Sequence, residues 1–399
     1  MKNSLIIGDG IIGMLSAISL SNIYENVYLV RNSKKKYRES KINRHFSINL
    51  LSKYFFMKMG IWDDIMISTS RPYNKIITWS DNMGEEVKFE SSSISYDSLG
   101  YIIKEDLIIN SLTAKLSAIN NIEIIDDSDI NSISYNDNCH KVTLSDDKTI
   151  NLNLIIKSDN SIDFLLNSLE LNKKSIEYNQ HALVIDLHLE GNTVSNIAYQ
   201  KFLDGQILGL LPITQNKYNL IWSVNNDILD DLKNEDDKNI ISVLNSHLSE
   251  KVGSIKSISD RVIFPLSGFH VESYVTNNIL VIGAAAHSVH PMAGLGLNMG
   301  IQDIYLLENS FLKMSSDNHN LNQVLENFNS SCILENSKTY NAINFLKKFY
   351  SDNLIPNYLK TQSLRIFNKS KYLKIKAIES ATGIDVLKRT SVDKYCYPN

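Results

Sequence analysis

Three glycines near the start of the chain, Gly8, Gly10 and Gly13, are spaced G-x-G-x-x-G. They follow the apolar run Leu5-Ile6-Ile7 and precede Ile11, Leu15 and Ile18 at helical spacing. This pattern suits a dinucleotide pyrophosphate. The first glycine permits a tight turn, the second lets backbone approach the phosphates, and the third lets helix and strand pack closely. The positive end of the helix then favours the anion. In such a unit the second strand is expected to end in an acid that holds the adenosine ribose. Here it ends Val30-Arg31-Asn32, so the acid is missing. Arg31 could instead face the 2′-phosphate of NADP. A second glycine-rich loop runs from Gly283-Ala284 through His290-Pro291 to Gly294-Leu295-Gly296-Leu297-Asn298. His287 and His290 lie three apart, but neither a carboxylate nor a cysteine accompanies them locally, so no metal is expected. Cys139, Cys332 and Cys396 show neither metal nor disulfide spacing.

The elements that position these loops follow from apolar periodicity. Ser4–Ile7 reads as a buried parallel strand, the stretch after Gly10 as a helix, and Asn26–Val30 as a second strand: a β-α-β start of a doubly wound sheet. Ile122–Ile125 adds a strand. Lys141–Leu144 and Thr149–Lys157 read as a hairpin around Asp146-Asp147, followed by a return into the sheet. Ala182–Leu189, Ile207–Leu211 and Asn219–Val224 suggest a mostly antiparallel sheet. The acidic stretch Asp227–Asp237 reads as a solvated face or loop. Asn278–Ile282 is again a buried strand, a helix is expected from about Asn298, and the chain reads as helical from Glu308 onward.

The 399 residues allow two or three packed lobes. A net charge of -4 argues against nucleic-acid binding. No apolar run reaches the length of a membrane span. The opening residues run straight into a strand, so no signal or transit peptide is expected, and a cytoplasmic setting fits the cysteine usage.

The second loop resembles the second flavin fingerprint of the aromatic-ring hydroxylases, most closely the FAD-dependent hydroxylases of ubiquinone biosynthesis. Those typically read G-D-A-A-H, then H-P-x-A-G-Q-G-x-N-x-G-x-x-D; this chain ends the pattern at Gly300-Ile301-Gln302-Asp303. Further matches occur in order: Arg44 after the second strand, Gly60-Ile61-Trp62, Ala198–Phe202, Gly209–Pro212, Ile221-Trp222, Phe264-Pro265-Leu266, Tyr350–Asn353 and Arg365. The resemblance implies an α/β chain with a glutathione-reductase-type FAD-binding fold, an inserted mostly antiparallel substrate-domain sheet and a C-terminal helical segment. It implies FAD-binding residues 1–75, 100–168 and 270–330, a substrate sheet from 76–99 and 169–269, and C-terminal helices over 331–399. It places FAD against Gly8, Gly10, Ile12, Gly13, Arg31, Arg44, Lys104, Asp159, Gly283, Ala284, Pro291, Gly294, Leu295, Gly296, Leu297 and Asn298. In this family the small-residue loop brings backbone N–H groups to the flavin pyrimidine, and the following helix points its positive end there. No catalytic side chain can be named.

Four positions depart from the family pattern. Arg31 replaces the ribose acid, Lys104 an arginine, Asn160 in Ser158-Asp159-Asn160 a glycine, and Ala284 the aspartate that holds the ribityl chain. Asn160 tolerates positive φ better than most residues. Lys104 keeps the charge but loses the bidentate fork. FAD is therefore expected to bind, but less tightly than in relatives. The resemblance further implies reduction by NAD(P)H or another donor, and a prenylated phenol as substrate. It also raises membership of a quinone-biosynthesis complex. The rival reading is a non-catalytic relative that binds lipid intermediates or scaffolds that complex. Plain core packing is expected for the apolar residues around Leu211 and Trp222. From Lys338 to Lys376 there are nine basic residues and a single acid, Asp352, interleaved with aromatic and aliphatic residues. That pattern suggests a peripheral contact with the inner face of a membrane.

Overall fold

Strand β1 (Asn3–Ile7), helix α1 (Ile11–Leu20) and strand β2 (Asn26–Arg31) open the computed structural model, as their apolar pattern demands. The structure describes residues 2–31, 44–66, 71–127, 130–136, 139–159, 172–191, 194–317, 320–351 and 355–390. After β2 come β3 (His45–Asn49), α2 (Leu50–Lys58), α3 (Trp62–Met66), β4 (Arg71–Tyr73), β5 (Lys75–Ser80) and β6 (Val87–Glu90). Then follow β7 (Gly100–Lys104), α4 (Glu105–Ser117), β8 (Ile122–Asp126), β9 (Ile130–Asn136), β10 (Cys139–Leu144), β11 (Thr149–Leu152) and β12 (Leu154–Lys157). The next section is β13 (Lys173–Leu189), β14 (Ile197–Leu203), β15 (Gln206–Thr214), β16 (Lys217–Asn225), α5 (Asn226–Asn234), α6 (Asp237–Val252), β17 (Ile255–Ile258) and β18 (Val262–Val271). The last strands are β19 (Val275–Thr276), β20 (Ile279–Val281) and β21 (His287–Ser288). Five helices close the described chain: α7 (Gly296–Asp317), α8 (Leu321–Ser351), α9 (Asn357–Lys369), α10 (Lys371–Thr382) and α11 (Ile384–Thr390).

One sheet has the order β19-β20-β12-β1-β2-β8, with every pairing from β20 to β8 parallel. Its central strands are apolar on both faces, as helices on both sides require. Leu5, Ile6, Ile7, Leu154, Ile155 and Ile156 are all buried. Helix α1 is buried along nearly its whole length and packs against α4 and α7. The parallel edges bring the C-terminal ends of β1, β2, β12 and β20 to one rim, where ligands of such sheets bind.

The second sheet is built on β13-β16-β15-β14, and all pairings in it are antiparallel except β14 with β5. Its strands alternate, so each residue set faces one side. Leu208 and Leu210 of β15, with Leu220, Trp222 and Val224 of β16, form a core with Leu229, Leu232, Ile240 and Leu244 of α5 and α6. The acidic stretch Asp227–Asp237 is a solvated helix face up to Asn234 and a short break at Glu235-Asp236 before the next helix. Its charges are mostly solvated, but Leu229 and Leu232 anchor it to the sheet. Val142 and Ile150 pair in the expected hairpin, with Asp147 at φ 63° in the turn, and β9 adds a further strand that pairs Tyr135 with His140.

Candidate functional site

The first glycine loop joins β1 to α1. Gly8 has φ +112°, and a Cβ on Gly13 would fall 1.7 Å from the Gly8 carbonyl oxygen. Only glycine fits Gly13 there. Ser158 Oγ donates to the Ile7 carbonyl at 3.0 Å, tying the end of β12 to this turn. Asp159 borders the same turn, its carboxylate 2.8 Å from where a Gly8 Cβ would lie. Gly10 is the N-cap of α1, no side chain caps that helix, and nothing stands within 4 Å of where a Gly10 Cβ would be. The helix end thus opens onto a space that a phosphate can enter. Ile12 packs against the second loop, filling the volume beside the Cα atoms of Gly283 and Gly300.

The second loop follows β20. Gly283 has φ +56° and Gly294 φ +59°, both left-handed. Ala284 is exposed, and Gly296 has open space at its Cβ position. Asn298 is committed to the protein by its side chain. Its amide donates to the carbonyls of Ser47 (2.7 Å) and Gly294 (3.0 Å). Its carbonyl accepts from Asn49 N (2.9 Å) and Ser52 Oγ (2.8 Å). It pins the loop to β3 and α2, leaving its backbone as the part that can serve a ligand.

Beneath the loop lies a buried polar chain that sequence reasoning missed. Asp303 of α7 accepts on Oδ2 from Gly283 N (2.9 Å) and is bonded through the same oxygen to His287 Nε2 (2.7 Å). On Oδ1 it accepts from Asn336 Nδ2 (2.6 Å). Asn336 also donates to the Tyr274 hydroxyl (2.7 Å), which lies 3.0 Å from His270 Nε2. Burial holds the His270 imidazole down at about 4 and that of His290 at about 3. Both rings are neutral at neutral pH. His290 Nδ1 accepts from Met292 N at 3.2 Å and its Nε2 lies 3.3 Å from Gln180 Oε1. The histidines therefore serve the loop's shape.

The charged candidates separate into two places. Arg31 ends β2 beside Asp126 of β8, with Nε 2.8 Å from Oδ1 and a second bond at 3.3 Å. Its charge is already met by a carboxylate. Arg44 and Lys104 stand together where β3 meets β7; Arg44 reaches Glu105 at 3.5 Å and Lys104 reaches Asp106 at 2.8 Å. Asn160 lies outside the described residues, as do Asp352 and Asn353.

A cavity of about 260 Å³ lies between the second loop, the second sheet and the C-terminal helices. Pro291, Met292, Gly294 and Leu295 line it from the loop. Ile207, Gly209, Leu210 and Leu211 of β15 line it from the sheet, while Leu208 and Leu210 also belong to the core on the other side. Ile221 and Ser223 of β16 do likewise, whereas Trp222 belongs to the core. Trp222 thus sits in the larger core, whereas Leu211 packs against a smaller apolar cluster and also lines the cavity, because alternation sends the two to opposite faces. The polar edge includes Tyr73, whose hydroxyl lies 2.9 Å from Ser47 Oγ.

A model described as the FAD binding domain matches residues 2–332. The chain belongs to the FAD binding domain family. Among its relatives, ubiquinone biosynthesis monooxygenase COQ6, mitochondrial, of Homo sapiens is 26% identical over 92% of this chain and 89% of that protein. The protein of the same name from Dictyostelium discoideum is 27% identical over 96% of this chain and 92% of its own length. Among solved structures, pqsL, a probable FAD-dependent monooxygenase from Pseudomonas aeruginosa, superposes with a TM-score of 0.76 at 16% identity, covering 92% of this chain and all of that one. Klebsiella pneumoniae HpxO, complexed with FAD and uric acid, gives 0.69 at 12% identity over 96% and 97%. These two likenesses establish the fold.

The residues present fit the family's cofactor. An uncapped helix end opens at Gly10, a second glycine loop opens at Gly296, and Ile12 joins the two. At Arg31 and Ala284 the chain carries no carboxylate of its own; Asp126 beside Arg31 is bonded to it, and Asp303 behind the second loop is fully buried.

Proposed function

We propose that this protein is an FAD-dependent monooxygenase that hydroxylates a polyprenylated phenol on the route to ubiquinone. The observation that carries the reading is the apolar cavity walled on one side by the flavin loop Pro291–Leu295 and on the other by the alternating face of β15 and β16. In this proposal Gly8, Gly10 and Gly13 and the end of α1 hold the pyrophosphate. Ile12 supports the turn, and Asp159, Arg44 and Lys104 line the cofactor's path. Gly283, Ala284, Gly294, Gly296 and the backbone of Pro291 and Leu295–Asn298 face the flavin. Arg31 lies at the adenosine end. The described strands within 76–99 and 172–269 and the helices α8 and α10 wall the ring-binding cavity. Bound FAD, reduced by NAD(P)H or another donor, would supply the chemistry that puts one atom of dioxygen on the ring while the other leaves as water. The chain's own part is to exclude water, which the apolar walls do, and to orient the phenol, for which Tyr73 and Ser47 supply the polar edge. A peripheral position on a membrane and membership of a quinone-biosynthesis complex belong to the same proposal.

The missing ribityl carboxylate makes a specific prediction. Ala284→Asp restores a charged acceptor on an exposed position of the loop. A hydrogen bond to a charged group contributes roughly 1.5–3 kcal/mol, so FAD should bind about tenfold to hundredfold tighter. Fluorescence titration checks this; unchanged affinity would remove Ala284 from the site. The function itself is tested by expressing the chain in a strain deleted for its own quinone-pathway hydroxylase. Restored quinone is expected. Soluble, abundant protein without quinone would favour the non-catalytic scaffold.

A further inference from the structure

Half of the exposed large apolar side chains among the described residues lie in one short stretch of chain. Sixteen are exposed in all, and eight of them are Phe345, Leu346, Ile355, Tyr358, Leu359, Ile366, Tyr372 and Leu373. Helix α9 shows how they come to face outward. Its Lys360, Thr361, Phe367 and Asn368 side is held down: Phe367 meets the Phe89 ring edge-on at 6.1 Å, Thr361 donates to the Met83 carbonyl, and Asn368 donates to the Glu86 carbonyl. Tyr358, Leu359 and Ile366 are left outside, with Ile366 67% exposed. Scattered apolar residues on a surface need no explanation, but a concentrated set marks an interaction site.

Several of the nine basic residues around this set are engaged by the protein. Lys338, Arg365 and Lys376 are bonded to Glu335, Glu85 and Glu379, Lys360 is buried, and Lys347 and Lys374 are half-buried, Lys347 over the Tyr178 ring. Among the described contacts, Lys348, Lys369 and Lys371 enter no ion pair, and all three are exposed. Free lysines beside exposed aromatic and aliphatic groups complement an anionic lipid surface, where the heads meet phosphate and the rings sink among the acyl chains.

The cavity supplies the reason for such a surface. At about 260 Å³ it lies just below the roughly 300–1,000 Å³ of ordinary small-molecule pockets. It has room for a ring and a short stretch of tail, not for a whole polyprenyl chain. Leu346 lines the cavity and is also 41% exposed, and Ala377 and Ile378 of α10 line the same wall. The cavity wall is thus continuous with the exposed apolar set. We propose that the outer faces of α9, the start of α10 and the last turns of α8 dock on an anionic bilayer, and that the substrate's tail passes beside Leu346 directly into it. This rests on the proposed hydroxylation of a prenylated phenol.

The test uses the full-length protein with vesicles of phosphatidylcholine alone or of phosphatidylcholine and phosphatidylglycerol in equal parts. Sedimentation is expected with the anionic vesicles and is expected to fall as salt screens the charges. Each lysine near an anionic leaflet is worth roughly fivefold, so Lys348→Glu with Lys369→Glu and Lys371→Glu should weaken binding by about a hundredfold or more. A second variant, Tyr358→Ser with Ile366→Ser and Tyr372→Ser, should lose hydroxylation of a vesicle-borne long-tailed phenol while hydroxylating a tail-less phenol in solution as before. Equal binding to both vesicles, no binding, or equal loss on both phenols would overturn the proposal. Variant-sensitive binding to anionic vesicles without hydroxylation of either phenol would contradict the reaction and leave the docking face standing.

Discussion

Asp303→Ala is expected to cost about 3 kcal/mol of stability or more, because it removes the acceptor of several buried donors. The residue is wholly buried and holds four partners at once: the Gly283 N–H, His287, Asn336 and the Cys332 thiol. Alanine leaves the Gly283 N–H and His287 Nε2 without this acceptor, whereas Asn336 keeps the Tyr274 hydroxyl, and each buried group left unmet costs roughly 1–3 kcal/mol. The loss does not stay local. Gly283 carries a left-handed backbone, and its N–H bond to Asp303 holds the start of the flavin loop in that conformation. FAD affinity should therefore fall with stability. Asp303→Asn should lie between, because its carbonyl can still accept from one donor while its amide opposes another. Urea denaturation with FAD titration checks both; an alanine variant within about 0.5 kcal/mol of the parent would mean that the chain tolerates the gap.

Gly209→Phe should abolish hydroxylation while sparing FAD. The nearest atom to a Cβ at Gly209 is the Ile221 carbonyl at 3.8 Å, so the strand accepts a side chain without shifting. Its neighbours Ile207 and Leu211 face the cavity, so a phenyl group at 209 occupies the space assigned to the substrate ring. Displacing a reacting group by even an ångström can cost about a hundredfold in rate, and filling the site should cost at least that. Turnover of a tail-less phenol, measured beside the flavin absorption of the same sample, separates the two effects. Full activity would place the ring elsewhere.

Much of this arrangement is legible in the sequence because it rests on local rules. Leu5-Ile6-Ile7 before Gly8, and the helical spacing after Gly10, lead to β1, its turn and α1 without reference to anything distant. The Gly283–Gly300 stretch announces its loop and helix in the same way. Pairings between remote segments are harder to see. Asp303 stands in the quoted motif, yet its role depends on Asn336, His287 and Tyr274, and these come from different elements. Arg31 looks like a free cation at a strand end until β8, arriving after Ile122, sets Asp126 beside it. Leu211 and Trp222 illustrate the same limit within one sheet: both are apolar, and only the registered pairing of β15 with β16 tells which face each takes. The basic C-terminal stretch was visible as a sum of charges, but its ion pairs to Glu85, Glu335 and Glu379 decide which lysines remain available.

The most direct measurement of the central claim follows the oxygen atom. The protein is supplied with FAD, a reductant, a prenylated phenol and isotopically heavy dioxygen, and the extracted phenol is analysed by mass spectrometry. The account predicts a product carrying one heavy oxygen atom on its ring, formed only with FAD present and lost in Gly209→Phe. An FAD-loaded protein that leaves the phenol unchanged, or a product whose added oxygen comes from water, would contradict it.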